Sequence, residues 1–229
     1  MRSFVRLGWP VSNAWLLPET DIGPVLVDTG HPTTWLALRA GLRRRGLRPV
    51  DLRAVVLTHR HSDHAGNAAR LERLGVPLLA HPRDIEILAG DRSGPAIDDR
   101  SDPFGRLFCR LERRFPARPC RPAPLVQGDT IAGLTVIETP GHTLGSIMLH
   151  HAASGTLFTG DALLNAAPPL TLHAGLTLPY PPYCDDAHLA LDSLRRLLDL
   201  KLNVQTLCPG HGPPRHGALP DALRQLLEA

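Results

Sequence analysis

The chain has 229 residues, 43% of them hydrophobic, which is enough to bury one sizeable core and fits a single α/β domain over 1–229. Its 25 basic and 22 acidic residues leave a net charge of +3, and the only basic run, Arg43-Arg44-Arg45, closes a predicted helix, so no nucleic-acid partner is expected. Residues 1–10 hold no apolar run long enough for an export signal, nothing later approaches a membrane span, and Cys109, Cys120, Cys184 and Cys208 lack C-x-x-C spacing; the expectation is a soluble cytoplasmic protein with free thiols and no membrane partner.

Residues 14–17 and 24–28 read as strands, after which Trp35, Leu38 and Leu42 recur at helical spacing up to a stop at Gly46. The apolar run 54–57 has the character of a buried strand, and a helix carrying Ala68, Leu71 and Leu74 ends at Gly75. Another strand is expected at 77–80 and a helix at 84–88. From 88 to 124 the chain turns irregular and rich in Arg and Pro, the mark of a surface excursion or lid. Runs 134–138, 146–149 and 156–159, separated by Pro-Gly and Ser-Gly turn signals, predict an antiparallel meander. The five prolines of 166–184, among apolar residues and both tyrosines, predict a second shaped loop able to cover a site. Asp185 and Asp186 can cap a helix with Leu191, Leu194 and Leu198 on one face, followed by a strand at 204–207 and a last helix from Pro220.

Chemistry concentrates in Thr58-His59-Arg60-His61-Ser62-Asp63-His64, a His-x-His-x-Asp-His run between a buried strand and a helix. Imidazole and carboxylate are ligands of the zinc type. Three further strand ends each present one such group beside a glycine: Pro140-Gly141-His142, Thr159-Gly160-Asp161 and Pro209-Gly210-His211. A glycine at a strand terminus permits a tight turn and a close backbone approach, so these side chains could converge on one edge.

With Val27-Asp28-Thr29-Gly30 added, the motifs in their order resemble those of the metallo-β-lactamase-fold superfamily over residues from about 13 to 211. The resemblance implies a four-layer αββα sandwich with a metal site at one edge of two sheets. It further implies that His59, His61 and His142 hold one divalent ion, that Asp63, His64 and His211 hold a second, and that Asp161 bridges them. Zinc is the first candidate, with iron or manganese as alternatives, and the nucleophile would be a metal-bridging hydroxide. Asp63 and Asp161 are then the candidate catalytic carboxylates, and Asp28 would orient a ligand histidine from behind; read on its own, Asp28 is also a plain strand-ending turn.

Within that superfamily the ligand set is similar to that of short thioesterases of the glyoxalase II type and of ester and lactone hydrolases. Eighteen residues follow His211, so the helical C-terminal domain of glyoxalase II is expected to be missing. Lactonases of the acyl-homoserine type carry a Tyr where this chain has Leu164, and true β-lactamases carry Cys or Ser where it has Asp161. The expectation is a hydrolase of a small-molecule thioester, ester or lactone. The alternatives are a mononuclear iron persulfide dioxygenase, a phosphodiesterase or nuclease of the same superfamily, and a non-enzymatic metal binder. His31, His173, Tyr180 and Tyr183 are candidates to line the substrate pocket; the other histidines and Cys208 are expected to be structural.

Overall fold

The computed structural model describes residues 4–7, 12–94, 106, 110, 113–166 and 174–228. The first sheet has the order β1 (Val5–Leu7), β2 (Ala14–Leu17), β3 (Val25–Val27), β4 (Ala54–Val56), β5 (Leu78–Ala80) and β6 (Ala123–Pro124). Its first three strands pair antiparallel and the rest parallel, with α1 (Trp35–Arg43), α2 (Ser62–Ala65), α3 (Ala68–Glu72) and α4 (Pro82–Leu88) in the connections. The second sheet is built from β7 (Thr130–Ile131), β8 (Leu134–Glu138), β9 (Ile147–His151), β10 (Thr156–Gly160), β13 (Thr206–Pro209) and β14 (Arg215–His216), antiparallel except where β10 runs parallel to β13. Between β10 and β13 lie the small pair β11 (Leu164–Asn165) and β12 (Leu176–Thr177) and the helix α5 (Ala187–Asp199), and the chain ends in α6 (Leu219–Glu228).

The layering follows from the two-residue period of the strands. Along β2, Ala14 and Leu16 point into one apolar cluster and Trp15 and Leu17 into another; β4 does the same, with Val55 on one side and Ala54 and Val56 on the other. The first cluster packs this sheet against Leu38 and Leu42 of α1 and Leu71 of α3. The second lies between the sheets, where Trp15, Val25 and Val27 meet Val136, Leu149 and Phe158. The third packs Met148, Leu157 and Leu207 against Leu194 and Leu197 of α5 and Leu223 of α6. Strands apolar on both faces thus produce helix, sheet, sheet and helix layers, and each fully buried Leu or Phe contributes on the order of 1.5–3 kcal/mol.

Several expectations change. The helix expected after the His-rich run is α3, which stops at Glu72 short of Leu74, and an unexpected short α2 begins within the run itself; between them a Cβ at Gly66 would lie 2.4 Å from Pro32 Cδ, and the Asn67 amide donates to the carbonyls of Thr29 and His31 at 2.9 Å. The strand expected at 204–207 begins two residues later, since the parallel ladder with β10 sets Cys208 opposite Phe158. Segment 88–124 is not irregular throughout: Arg106, Arg110, Arg113 and Arg114 are helical, and β6 pairs with β5 at the sheet edge, where Pro124 removes no central hydrogen bond. In 166–184, β12 and a 3-10 turn at Pro181–Tyr183 give the loop its shape; residues 167–173 lie outside the described residues. Among the described residues no helix is long and apolar enough to cross a membrane, and Cys120, Cys184 and Cys208 are free thiols; Cys109 lies outside the described residues.

Candidate metal centre

The ends of β3, β4, β10 and β13 and the turn between β8 and β9 open on the same edge of the sandwich. They bring the seven predicted donors into two groups that could hold a metal ion: His59, His61 and His142, and Asp63, His64, Asp161 and His211. In each group the donor atoms lie within 4.8 Å of one another.

In the three-histidine group the His61 Nδ1 and His142 Nε2 atoms stand 3.0 Å apart, and the His59 ring lies 4.9 Å from that of His61 and 4.8 Å from that of His142. Burial, with the neighbouring imidazoles, holds His59 well below the usual histidine range. Burial acts likewise on His61, helped by His142 and the Arg60 cation, and brings His142 down to about 4. All three rings are therefore neutral near pH 7, the form that donates a lone pair to a cation. His59 Nε2 is buried and has no hydrogen-bond partner, a cost that a bound cation would remove.

The second group is charged. Burial alone would depress His64 and His211, yet the Asp161 and Asp63 carboxylates, joined by Asp28 at His64, outweigh it: His64 is held well above the usual range and His211 at about 10. Conversely, burial would raise Asp63 and Asp161, but His64 and His211 hold both below the ordinary carboxylate range. His211 Nε2 lies 3.1 Å from Asp63 Oδ2 and 3.1 Å from Asp161 Oδ2, while Asp161 Oδ1 is 3.2 Å from His64 Nε2. Asp161 also reaches the first group, its Oδ2 being 3.7 Å from His142 Nε2. The adjoining backbone is made to this shape: a Cβ at Gly210 would fall 2.1 Å from Asp161 Oδ1.

Asp28 stands directly behind the second group. Its Oδ2 lies 2.8 Å from His64 Nδ1, and its carboxylate accepts from the Thr58 N–H and hydroxyl at 2.8 Å each. The residue is buried with φ of 59°, a left-handed conformation uncommon for a side chain with a Cβ and held here by those bonds. Thr29 adds its hydroxyl to the His64 carbonyl at 2.7 Å, and Ser12 donates to the Asp63 carbonyl.

Of the predicted pocket residues, half-exposed His31 bonds to Thr33 at 2.7 Å, packs its ring 5.8 Å from that of Phe115 and feels the charge of Asp63. Tyr180 and Tyr183 lie on the loop before α5 with rings 5.6 Å apart. His173 lies outside the described residues. Sequence reading missed Cys184, whose Sγ approaches His142 Nδ1 at 3.9 Å, and it missed the roles of Asp84 and Asp185, buried carboxylates that face Arg60. The only sequence signal for Asp185 is that it adjoins Asp186 where one cap suffices: Asp186 alone accepts from the helix, from the Leu189 N–H at 2.9 Å.

Comparison with known proteins agrees with this geometry. The family model described as the metallo-beta-lactamase superfamily matches residues 7–211. The probable metallo-hydrolase YflN of Bacillus subtilis (strain 168) is 29% identical over 214 residues, covering 88% of this chain and 80% of that protein. The acyl-coenzyme A thioesterase MBLAC2 of Gallus gallus is 32% identical over 176 residues, covering 72% of this chain and 58% of its own length. Among solved structures, TTHA1623 in a di-iron-bound form is similar at a TM-score of 0.63 and 29% identity, with 93% of each chain covered. The chain belongs to the metallo-beta-lactamase superfamily of metallo-hydrolases.

Proposed function

We propose that this protein hydrolyses a small-molecule thioester, ester or lactone at a two-metal site. His59, His61 and His142 would hold one ion and Asp63, His64 and His211 the other. The observation that carries the reading is the Asp161 carboxylate, whose Oδ2 faces both His142 Nε2 at 3.7 Å and His211 Nε2 at 3.1 Å and so stands between the two donor sets. The unpartnered His59 Nε2 supports an ion in the first set. Nitrogen and carboxylate donors without thiolate favour zinc, with iron and manganese as the other candidates. Such ions, when bound, lower the pKa of water to about 7 and polarise a carbonyl oxygen.

The chain's own residues supply position. Asp28 fixes the Nδ1 side of His64 and thereby turns its Nε2 toward Asp161. His31, Tyr180 and Tyr183 are proposed to border the substrate, with a tyrosine hydroxyl available as the leaving-group acid. Thioesters head the list because the chicken relative bears the name of an acyl-coenzyme A thioesterase. A small molecule, rather than nucleic acid or a membrane, is the proposed partner.

The test is the metal content of the purified protein, followed by a panel of thioesters, lactones and a phosphodiester. Two divalent ions per chain and cleavage of a thioester or lactone are expected. One iron per chain, with oxygen consumed on a persulfide, would sink this reading in favour of a dioxygenase built on the three histidines.

A further inference from the structure

Arg60 occupies the position between His59 and His61, yet its side chain turns away from both and is only 7% exposed. Its guanidinium makes a two-pronged contact with Asp185 just before α5, NH1 to Oδ2 at 2.9 Å and NH2 to Oδ1 at 2.7 Å, and reaches Asp84 of α4 at 3.4 Å. The Arg60 N–H donates to Asp84 Oδ2 at 2.9 Å. The same two carboxylates grip the turn that carries His142: the Thr143 hydroxyl donates to Asp84 Oδ2 at 2.7 Å and the Leu144 N–H to Asp185 Oδ2 at 2.9 Å. The Asp185 N–H in turn donates to the His142 carbonyl at 3.1 Å.

His59 and His61 follow β4 of the first sheet, whereas His142 lies between β8 and β9 of the second. A backbone bond from Ile147 N–H to the Thr58 carbonyl at 2.9 Å joins the strand ends, but the rings lie beyond it. The His61 and His142 rings meet only through Nδ1 and Nε2 at 3.0 Å, and where each ring stands is set by the loop that bears it. Through Asp84 and Asp185 a single planar guanidinium ties those loops together, a geometry that an ammonium cannot reproduce. The second donor group is braced differently, by Asp28, Thr29 and Ser12.

We propose that Arg60, acting through Asp185 and Asp84, is a positioning residue that sets the metal affinity of the three-histidine group and leaves that of the Asp63–His64–Asp161–His211 group alone. This rests on the metal-binding reading above. The test is cobalt(II) titration of the metal-free protein, followed by its visible absorption, for the unaltered chain, Arg60→Lys and the charge-neutral double variant Arg60→Gln/Asp185→Asn, with melting of each metal-free protein measured alongside. The double variant removes Arg60 and Asp185 together, so Asp185 is not left as a lone carboxylate, and Asp84 keeps the hydrogen bonds from the residue-60 N–H and the Thr143 hydroxyl; the melting measurement reads the cost of its lost cation.

The unaltered chain should take up two cobalt ions. Both variants should retain one ion at full affinity and bind the other about 10–100-fold more weakly, the span typical of residues that orient ligands from behind. The weakened phase should be the one that Asp28→Asn leaves intact. Titrations identical to those of the unaltered chain would overturn the proposal, as would an equal fall in both affinities accompanied by a lower melting temperature, the signature of a merely structural residue. Failure of the unaltered chain to take up two ions would overturn the two-metal reading itself.

Discussion

The three-histidine group and the Asp63–His64–Asp161–His211 group share one cleft, yet burial acts on them with opposite results. In the first, no carboxylate belongs to the group, so burial lowers every ring, and beyond the 3.0 Å contact of His61 Nδ1 with His142 Nε2 the rings rest on the loops that bear them. In the second, two carboxylates and two imidazoles attract one another strongly enough to overcome burial, so both histidines are raised and both carboxyls lowered. On the proposed reading, the Arg60 clamp supplies an outside frame to the three-histidine set, whereas Asp28 aims His64 in the charged one.

Asp161 is where the two groups meet, and Asp161→Asn breaks the comparison most severely. It removes the carboxylate that faces both sets and deprives His64 and His211 of their main counter-charge. Hydrolysis should fall by about 10³-fold or more, equivalent to the several kcal/mol that metal ions contribute to such reactions, with metal content below that of the unaltered chain. Among the described residues Asp161 lies outside all three apolar clusters, so circular dichroism should be preserved. Steady-state kinetics and metal analysis on the same sample provide the check, and full activity would refute the two-metal reading.

A smaller and more selective effect is expected from Asp28→Asn. The amide cannot accept from the Thr58 N–H, the Thr58 hydroxyl and the His64 ring together as the carboxylate does at 2.8 Å each. Metal affinity of the charged group should drop about 10–100-fold while that of the three histidines stays unchanged. A uniform loss at both groups, measured by the same titration, would show that the two are not separately supported.

The sequence already carries much of this comparison, because a metal donor is recognised by its own chemistry. His59, His61, Asp63, His64, His142, Asp161 and His211 stand at strand ends beside polar or glycine positions, and the structure gathers all seven. Runs such as 54–57 show buried strands, whereas the sandwich itself comes from the resemblance carried by the ordered motifs. What stayed hidden is whatever depends on a partner far along the chain. Arg60 lies 24 residues from Asp84 and 125 from Asp185, and nothing local distinguishes Asp185 from a second helix cap. His81 reads as an ordinary histidine until β8 is laid beside it. Strands of two residues, such as β6, β11 and β14, exist through pairing and leave no periodic pattern to read.

His81 stands one step behind the Arg60 clamp, between α4 and β8. Its Nδ1 accepts from the Arg83 N–H at 3.2 Å and so caps α4, the helix that presents Asp84 to Arg60, while its Nε2 meets Glu138 Oε1 of β8 at 3.1 Å. Burial pushes the Glu138 carboxyl up, but the Gln127 N–H and the His81 ring outweigh it and hold the group below the usual glutamate range. A depressed carboxyl stabilises the fold above its unfolded pKa, and that stabilisation is lost as pH falls through the lower folded value; here the window lies on the acid side of 4.5. Glu138 is 37% exposed, so solvent screens the pair and Glu138→Gln should cost no more than about 1 kcal/mol at pH 7. Thermal unfolding from neutral pH down through that window should show the difference between the two proteins shrinking to nothing. If the frame of the neutral group stops at the Arg60 clamp, cobalt affinity will be untouched; a selective weakening at the three histidines would show that the frame reaches across to β8.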